Sequence, residues 1–256
     1  MKKLLSPLAA LAFLTVGNLA LGDDAKTEEG FNQAHTTWNE LVGKHVKPDG
    51  VSYPAFQKDR TLLKSYLSEL AQVSTTDFNT WSGREQLAYF INLYNAATID
   101  LVLEHYPIKS FKDEAGGEDG PWKLPFVKAL GKTYTLDQVE HELIRKNYPE
   151  PRIHFAVNCA SGGCPPVRNE AFTGENLETQ LEEQTKAFLS DKTNNRLRGK
   201  TLELSPIFEW FAEDFVKKSG SVEAFVSPYF GKELKKGSVT LKYTDYSWAL
   251  NEASAE

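Results

Sequence analysis

Residues 84–106 read REQLAYFINLYNAATIDLVLEHY, and a helix with this sequence is apolar on almost every side. The only charged residue between Gln86 and Leu103 is Asp100. A helix that is hydrophobic all round is buried rather than half exposed. The sequence therefore predicts a long helix over Gly83–His105 that is buried on most of its sides.

Three polar residues lie on one side of this predicted helix. At about 100° per residue, Glu85, Asn92 and Asn95 fall within one arc of its surface. Buried polar side chains need partners, because an unpaired one costs on the order of 1–3 kcal/mol. Under one hypothesis this face lines a site, where Glu85 orients or exchanges a proton with a histidine and Asn92 contributes to binding. Under the other, Ser82 and Glu85 form a capping box and the asparagines bond to neighbouring backbone.

Shorter elements are predicted on both sides of the buried helix. Helices are predicted at residues 28–42, 54–72, 135–146, 176–189 and 205–216, strands at 126–136 around Gly131, at 196–204 around Arg198-Gly199 and at 239–246, and a loop that could form the rim of a cleft at 111–122. Helices outnumber strands, and most strands form local hairpins. This pattern indicates an α+β fold in which helices pack on a small antiparallel sheet.

Some side chains in these elements have an expected environment. His35 and His45 are predicted to face solvent, and one of Glu140 and His141 is predicted to face the cleft, because adjacent helical residues point about 100° apart. The helix at 205–216 is rich in aromatic residues. We expect its aromatic side chains to be core rather than a ligand platform: Phe208, Trp210, Phe211 and Phe215.

The N-terminus has the three-part layout of a secretory signal peptide. Lys2-Lys3 precede the apolar run Leu4–Leu21, and the segment closes on Ala20-Leu21-Gly22. We expect residues 1–22 to be removed, which leaves residues 23–256 as a single α+β domain with enough chain for a sizeable core. The mature protein is then periplasmic or secreted, with no stable membrane insertion after cleavage.

The composition limits the kinds of partner. The formal net charge is −6, with 29 Lys and Arg residues scattered among 35 Asp and Glu residues. This balance argues against a nucleic-acid partner, because phosphate binding needs a basic stripe. We expect a small-molecule or peptide ligand, and no cofactor.

Residues 152–168, RIHFAVNCASGGCPPVR, hold one of the five histidines and both cysteines of the chain. Ile153–Val157 is apolar and aromatic, which predicts a short buried strand that ends at Asn158 in a Ser-Gly-Gly turn. In such a strand His154 and Cys159 point to opposite faces. Cys164, beyond the turn, is freer to return toward His154.

Four interpretations of His154, Cys159 and Cys164 remain open from the residues alone. The cysteines could form a disulfide, as suits a secreted chain. One cysteine could be a nucleophile, with His154 taking its proton and Glu85 or Glu140 fixing the imidazole. The cysteines could exchange electrons with a substrate, or they could bind zinc together with His154 and a further ligand such as His141. Neither a C-x-x-C spacing nor a paired zinc motif is present, so no metal is expected.

The nucleophile interpretation also needs donors for an oxyanion. The backbone N–H groups of Ser161, Gly162 and Gly163 could form an oxyanion hole or a small anion nest. These three residues, with Asn92 and Glu140, are the predicted binding residues. The predicted catalytic residues are His154, Glu85, Cys159 and Cys164.

Four segments of the chain together resemble the bacterial branch of the family known as domain of unknown function 547. They are REQLAYFINLYNAATIDLVLEHYP, YTLDQVEHELIRKNYPEPRIHFAVNCASGGCPPVR, LELSPIFEWFAEDF and YSWALN. The resemblance covers most of the chain from about Trp38 onward. It implies a fold related to papain and the transglutaminases, in which a buried helix packs against an antiparallel sheet bearing the histidine. Where such enzymes place a cysteine at the start of the buried helix, this chain has Glu85.

Two classes of function follow. The first is a thiol-dependent hydrolase or acyl transferase that acts on a peptide, an amide or a thiol-containing small molecule. The second is a non-catalytic envelope protein that binds such a ligand in a disulfide-braced cleft, or a thiol–disulfide redox protein. The family label supplies no established reaction, and fold alone does not choose between these classes.

Overall fold

The computed structural model describes residues 30–254, and helix α5, Gly83–His105, lies at its centre. Every side chain from Leu87 to Leu103 is buried except Asp100. At the start of the helix, the Ser82 hydroxyl accepts the Glu85 N–H, and the Glu85 carboxylate accepts the Ser82 N–H at 2.7 Å. The predicted buried helix and its capping box are confirmed. The predicted signal peptide lies outside the described residues.

Mostly short helices surround α5. The other α-helices are α1 Thr36–His45, α2 Tyr53–Phe56, α3 Arg60–Gln72, α4 Thr75–Phe78, α6 Phe111–Glu114, α7 Leu136–Gln138, α8 Leu177–Ser190, α9 Ile207–Trp210, α10 Ala212–Ser219 and α11 Val222–Val226. A π-helix follows α7 at Val139–Arg145, and 3-10 helices lie at Gln57–Asp59, Gly117–Asp119, Pro121–Lys123, Pro151–Phe155 and Ser227–Phe230. In the part of the chain that is described, no helix is long and apolar enough to cross a membrane.

The strands form small sheets. They are β1 Val46–Lys47, β2 Gly50–Val51, β3 Val127–Ala129, β4 Lys132–Tyr134, β5 Arg196–Arg198, β6 Thr201–Leu204 and β7 Thr240–Tyr243. The pairs β1–β2, β3–β4 and β5–β6 are antiparallel, while β7 pairs parallel to β6 with Leu202 opposite Leu241. A parallel pair needs a long crossover, and α9–α11 supply it. The α+β fold and the two predicted hairpins are confirmed, and the likeness to papain and the transglutaminases stays a prediction.

Two hydrophobic clusters form the core of the compact unit that begins at Phe31. The first surrounds α5 and includes residues of α1 and α3. The second lies between the β5–β6–β7 sheet and helices α8–α11. Ile153 belongs to the first cluster and Phe155 to the second. The intervening residue, His154, therefore lies where the two clusters meet.

The strand predicted at Ile153–Val157 is wrong, because Pro151–Phe155 is a 3-10 helix. Pro151 occupies its first turn, where a proline needs no N–H donor, and the Glu150 carboxylate accepts the Arg152 N–H at 3.1 Å. An apolar run that is buried on all sides has no alternation to distinguish a strand from a helix.

The prediction that His35 and His45 face solvent is also wrong, since both are buried. Helix α1 extends three residues beyond the predicted end at Val42, which puts His45 on the buried face of the helix with Trp38. Its Nε2 lies 2.7 Å from a carboxylate oxygen of Asp59. His35 precedes the helix in a left-handed conformation, and its Nδ1 lies 2.7 Å from the Tyr66 hydroxyl.

Candidate functional site

A cavity of about 190 Å³ opens at the junction of the two clusters, and six of its fourteen wall residues are Phe, Tyr or Trp. Its walls are Tyr94, Trp122, Asp137, Glu140, His141, His154, Val157, Cys159, Cys164, Ile207, Trp210, Phe211, Tyr246 and Trp248. Most of these residues come from α5, α7, the π-helix, the 3-10 helix that holds His154, the cysteine loop, α9 and the C-terminal segment. The predicted loop at 111–122 contributes Trp122 to the rim, although it contains short helices.

His154 is held from one side by a carboxylate and from another by an aromatic ring. Its Nε2 lies 2.8 Å from Oδ2 of Asp214, and Phe211 stacks on the imidazole with 3.9 Å between ring centroids. Arg145 donates two hydrogen bonds to the same carboxylate, at 2.7 and 3.1 Å. Burial works against the charge of Asp214, but the hydrogen bonds from His154 and Arg145 hold the pKa of its carboxyl well below its usual range.

The protonation state of His154 follows from this geometry. Burial lowers the pKa of the imidazole, and this effect exceeds the opposing hydrogen bond and charge of Asp214. Near pH 7 the ring is therefore neutral. An ionised carboxylate only accepts hydrogen bonds. Nε2 therefore carries the proton and donates a hydrogen bond to Asp214. The other ring nitrogen, Nδ1, is left with a lone pair.

Nδ1 of His154 faces a second carboxylate. It is buried and has no hydrogen-bond partner among residues 30–254, and the nearest acid is Oε1 of Glu140 at 3.9 Å. The Glu140 side chain is 12% exposed. Beyond it lies the buried Tyr94, and burial together with the negative charge of Glu140 raises the pKa of Tyr94 well above its usual range. Glu140 thus lies between Nδ1 of the neutral His154 and the open cavity.

The two cysteines form a disulfide, with 6.4 Å between their Cα atoms, so neither is free. The Tyr246 hydroxyl lies 3.1 Å from Sγ of Cys159 and 3.2 Å from Sγ of Cys164. Of the four interpretations of these residues, the disulfide is the one that the structure shows. No group of three or more His, Cys, Asp or Glu residues in the described range is arranged to hold a metal ion.

The predicted oxyanion hole is occupied by the protein itself. The Gly162 N–H donates to the Ala249 carbonyl at 2.7 Å, and the Gly163 N–H donates to the Ser247 carbonyl at 2.9 Å. Ser161 is fully buried and pairs with Leu250 in an antiparallel bridge. The expectation of free donors is wrong for Gly162 and Gly163, because the C-terminal segment folds back onto the loop and accepts both N–H groups.

The chain was compared with known proteins. Residues 78–189 match the family model described as Protein of unknown function, DUF547. The match covers less than half of the chain and shows that this segment is similar to that family. No curated protein and no solved structure matches the chain. The segment matched to DUF547 contains α5, Glu140, His154 and both cysteines, and it ends before Asp214 and Tyr246.

Within the DUF547 segment, two predicted site residues are structural. Glu85 makes its hydrogen bond to the Ser82 N–H and contacts Gly174, where an added Cβ would lie 2.5 Å from its Cγ. The side-chain amide of Asn92 donates a hydrogen bond to the Phe172 carbonyl and accepts one from the Phe172 N–H. Neither residue lines the cavity. The predicted pairing of Glu85 with His154 is wrong, because Asp214 and Glu140 hold the places next to the imidazole.

Other site residues were missed or misassigned from the sequence. Asp214 lies 60 residues from His154 along the chain, and no local spacing links the two. Trp210 and Phe211 were expected in the core, but both line the cavity, and Trp210 is 47% exposed. The predicted single helix breaks at Phe211, which separates α9 from α10. Phe208 and Phe215 are buried as predicted.

Proposed function

We propose that the protein binds a small organic molecule in the aromatic cavity and does not form a covalent intermediate with it. One observation carries this proposal: the groups that acyl transfer requires are already engaged within the protein. Both sulfurs are in the disulfide, and the N–H groups of Gly162 and Gly163 are bonded to carbonyls. The aromatic walls and Glu140, by contrast, face the open cavity.

The size and walls of the cavity indicate the kind of ligand. Small-molecule sites usually enclose about 300–1,000 Å³, so a cavity of about 190 Å³ suits a compact ligand with one ring or a short chain. Trp210, Tyr246 and Trp248 form a cluster with ring centroids 4.6 to 5.9 Å apart. Aromatic pairs of this kind are worth about 0.5–1.5 kcal/mol beyond the area they bury.

A thiol-dependent hydrolase or acyl transferase is the second candidate, and it requires prior reduction of the disulfide. It is favoured by the position of both sulfurs in the same cavity as the neutral His154. After reduction, the Tyr246 hydroxyl would lie where it can donate a hydrogen bond to a thiolate.

We also infer that the protein is exported, in keeping with the layout of residues 1–22 and with a disulfide that persists in an oxidising compartment. The resemblance to the bacterial branch of DUF547 proteins points to the periplasm or the medium. Intact-mass measurement of protein from the cell envelope and medium should show a chain that begins near Asp23. A full-length chain that keeps Met1 would overturn the inference.

The binding proposal is tested with a panel of single-ring and short-chain amines, alcohols, carboxylic acids and amides. Thermal shift is measured on the oxidised protein, because a ligand that binds only the folded state raises Tm. We expect at least one compound to raise Tm in the wild type and in Leu62→Ala, which alters an exposed apolar residue outside the cavity, but not in Trp210→Ala.

The competing function is tested in parallel. Hydrolysis of p-nitrophenyl acetate is followed with and without dithiothreitol, in the wild type and in His154→Gln. We expect no turnover above the rate in buffer for the oxidised protein. A reductant-dependent turnover that His154→Gln abolishes would favour the hydrolase, and a panel with no stabilising compound would overturn the binding proposal.

A further inference from the structure

The charged side chains of the cavity wall have one sign. Asp137 and Glu140 are its carboxylates, and no Lys or Arg is found among its described wall residues. Two cations lie at the margin. The Arg145 guanidinium is bound to Asp214 and lies 4.9 Å from the centre of the Phe211 ring, and Lys112 lies over Trp248 at 4.3 Å. A cleft lined by one sign of charge with apolar walls concentrates ions of the opposite sign.

Within the described part of the chain, no Lys or Arg forms an ion pair with Glu140. Among residues 30–254 its one ionic contact is with His154, at 3.9 Å, and that imidazole is neutral near pH 7. The lone pair of Nδ1 therefore faces the negative charge of Glu140 across a short gap. A mostly buried carboxylate without a counter-ion is costly, and a cation that approaches from the cavity would relieve the cost.

The aromatic faces suit a cation as well. Ammonium groups are attracted to the faces of Trp and Tyr within about 6 Å of the ring centre. This protein already uses one face in that way, where the Lys112 ammonium lies over Trp248. Trp210 and Tyr246 line the same cavity, and no Lys or Arg of the described residues lies over either ring at this range.

We propose that the ligand of the cavity is an organic ammonium compound, whose cationic group pairs with Glu140 while its organic part lies against Trp210 and Tyr246. This inference rests on the proposed binding function and names the ligand class. Asp137 strengthens the negative potential. The ligand neutralises the carboxylate that faces Nδ1 of His154.

The test compares ligands of similar shape and different charge. Calorimetric titration of the oxidised protein at pH 7 is carried out with benzylamine, which is protonated at that pH, and with benzyltrimethylammonium, benzyl alcohol and benzoate. We expect at least one of the two cations to bind ten times more tightly than benzyl alcohol, and benzoate to bind more weakly still. Cation binding should weaken as ionic strength rises, while binding of the alcohol should not.

Two matched variants assign the charge effect to one residue. Glu140→Gln keeps the size of the side chain but removes the charge. It should weaken binding of the cation at least tenfold and leave binding of benzyl alcohol unchanged. Glu142→Gln removes the same charge from the exposed side of the same π-helix, outside the cavity, and should leave both affinities unchanged. Tm and far-UV circular dichroism establish that both variants are folded.

The two proposals fail in different ways. If benzyl alcohol or benzoate binds as tightly as the cations, or if Glu140→Gln leaves cation binding intact, the ammonium inference is overturned and the binding function remains. If no compound of any charge binds here or in the wider panel, both proposals are overturned.

Discussion

His154 illustrates how burial and charge compete at a single residue. Its imidazole is flanked by Asp214 and Glu140, and both carboxylates favour the imidazolium. Desolvation nevertheless outweighs them, because the ring is almost fully buried and stacked on Phe211. The result is a neutral imidazole with one nitrogen hydrogen-bonded to Asp214 and the other without a partner among residues 30–254.

The partner of His154 can be identified by titration. Removing the charge of Asp214 in Asp214→Asn should lower the pKa of His154 further, because that charge and hydrogen bond now raise it. Glu85→Gln should leave the midpoint unchanged, since Glu85 bonds to the Ser82 N–H instead. NMR titration of the His154 ring signals in the three proteins measures both effects. A shift in Glu85→Gln equal to that in Asp214→Asn would restore the pair predicted from the sequence.

At the scale of elements, the cysteine loop depends on the segment that follows β7. Tyr246 contacts both sulfurs, and the carbonyls of Ser247 and Ala249 accept the N–H groups of Gly163 and Gly162. An added Cβ on Gly163 would lie 2.8 Å from the Tyr246 ring and 2.9 Å from the Ser247 nitrogen. This close approach of two backbones explains why the loop carries glycine at that position.

The two neighbouring glycines should respond differently to a methyl group. Gly163→Ala must displace Tyr246 or the Ser247 backbone, and we expect it to cost about 1–3 kcal/mol in the free energy of unfolding. In Gly162→Ala the nearest atom is the Ser247 hydroxyl at 3.4 Å, so the cost should be much smaller. Urea denaturation of both variants gives the comparison. Equal free energies of unfolding in the two variants would show that the C-terminal segment does not restrict the conformation of the loop.

For the whole molecule, buried histidines make stability depend on pH. Burial lowers the pKa of His35 from its usual 6.5 to about 4. Between these values the unfolded chain binds a proton that the folded chain does not, so stability falls as the pH falls from about 6.5 to about 4. Since one pKa unit is about 1.4 kcal/mol, the loss from His35 is about 3 kcal/mol. His154 contributes in the same direction.

Replacing His35 should remove part of this pH dependence. His35→Asn tolerates the left-handed backbone at this position and does not titrate, so the free energy of unfolding should vary less between pH 6.5 and pH 4 than in the wild type. His105→Asn alters an exposed histidine at the end of α5 and serves as the control. The measurement is urea denaturation at several pH values. If the slopes of His35→Asn and the wild type agree, His35 is not the source of the loss.

The local elements were predictable because their signals lie within a few residues of one another. The apolar circumference of α5, the capping boxes at Ser82 and Thr135, and the hairpin at Gly131 each depend on spacings of two to four residues. The disulfide was one of four interpretations of the two cysteines, and it rested on a short, glycine-containing spacer in a chain predicted to be exported.

The composition of the site was decided by the path of the chain. Asp214 reaches His154 across 60 residues, and Tyr246 reaches Cys159 across 87 residues. The helix break between α9 and α10 decides whether Phe211 lies in the core or in a cavity wall. The residues that pack beside this break are distant from it in sequence. Periodicity and capping act over one or two helical turns, whereas burial, partner choice and pKa depend on which distant segments pack together. The sequence by itself therefore determined the buried helix and its cap, while the tertiary structure alone decided the state of the cysteines and which side chains surround His154.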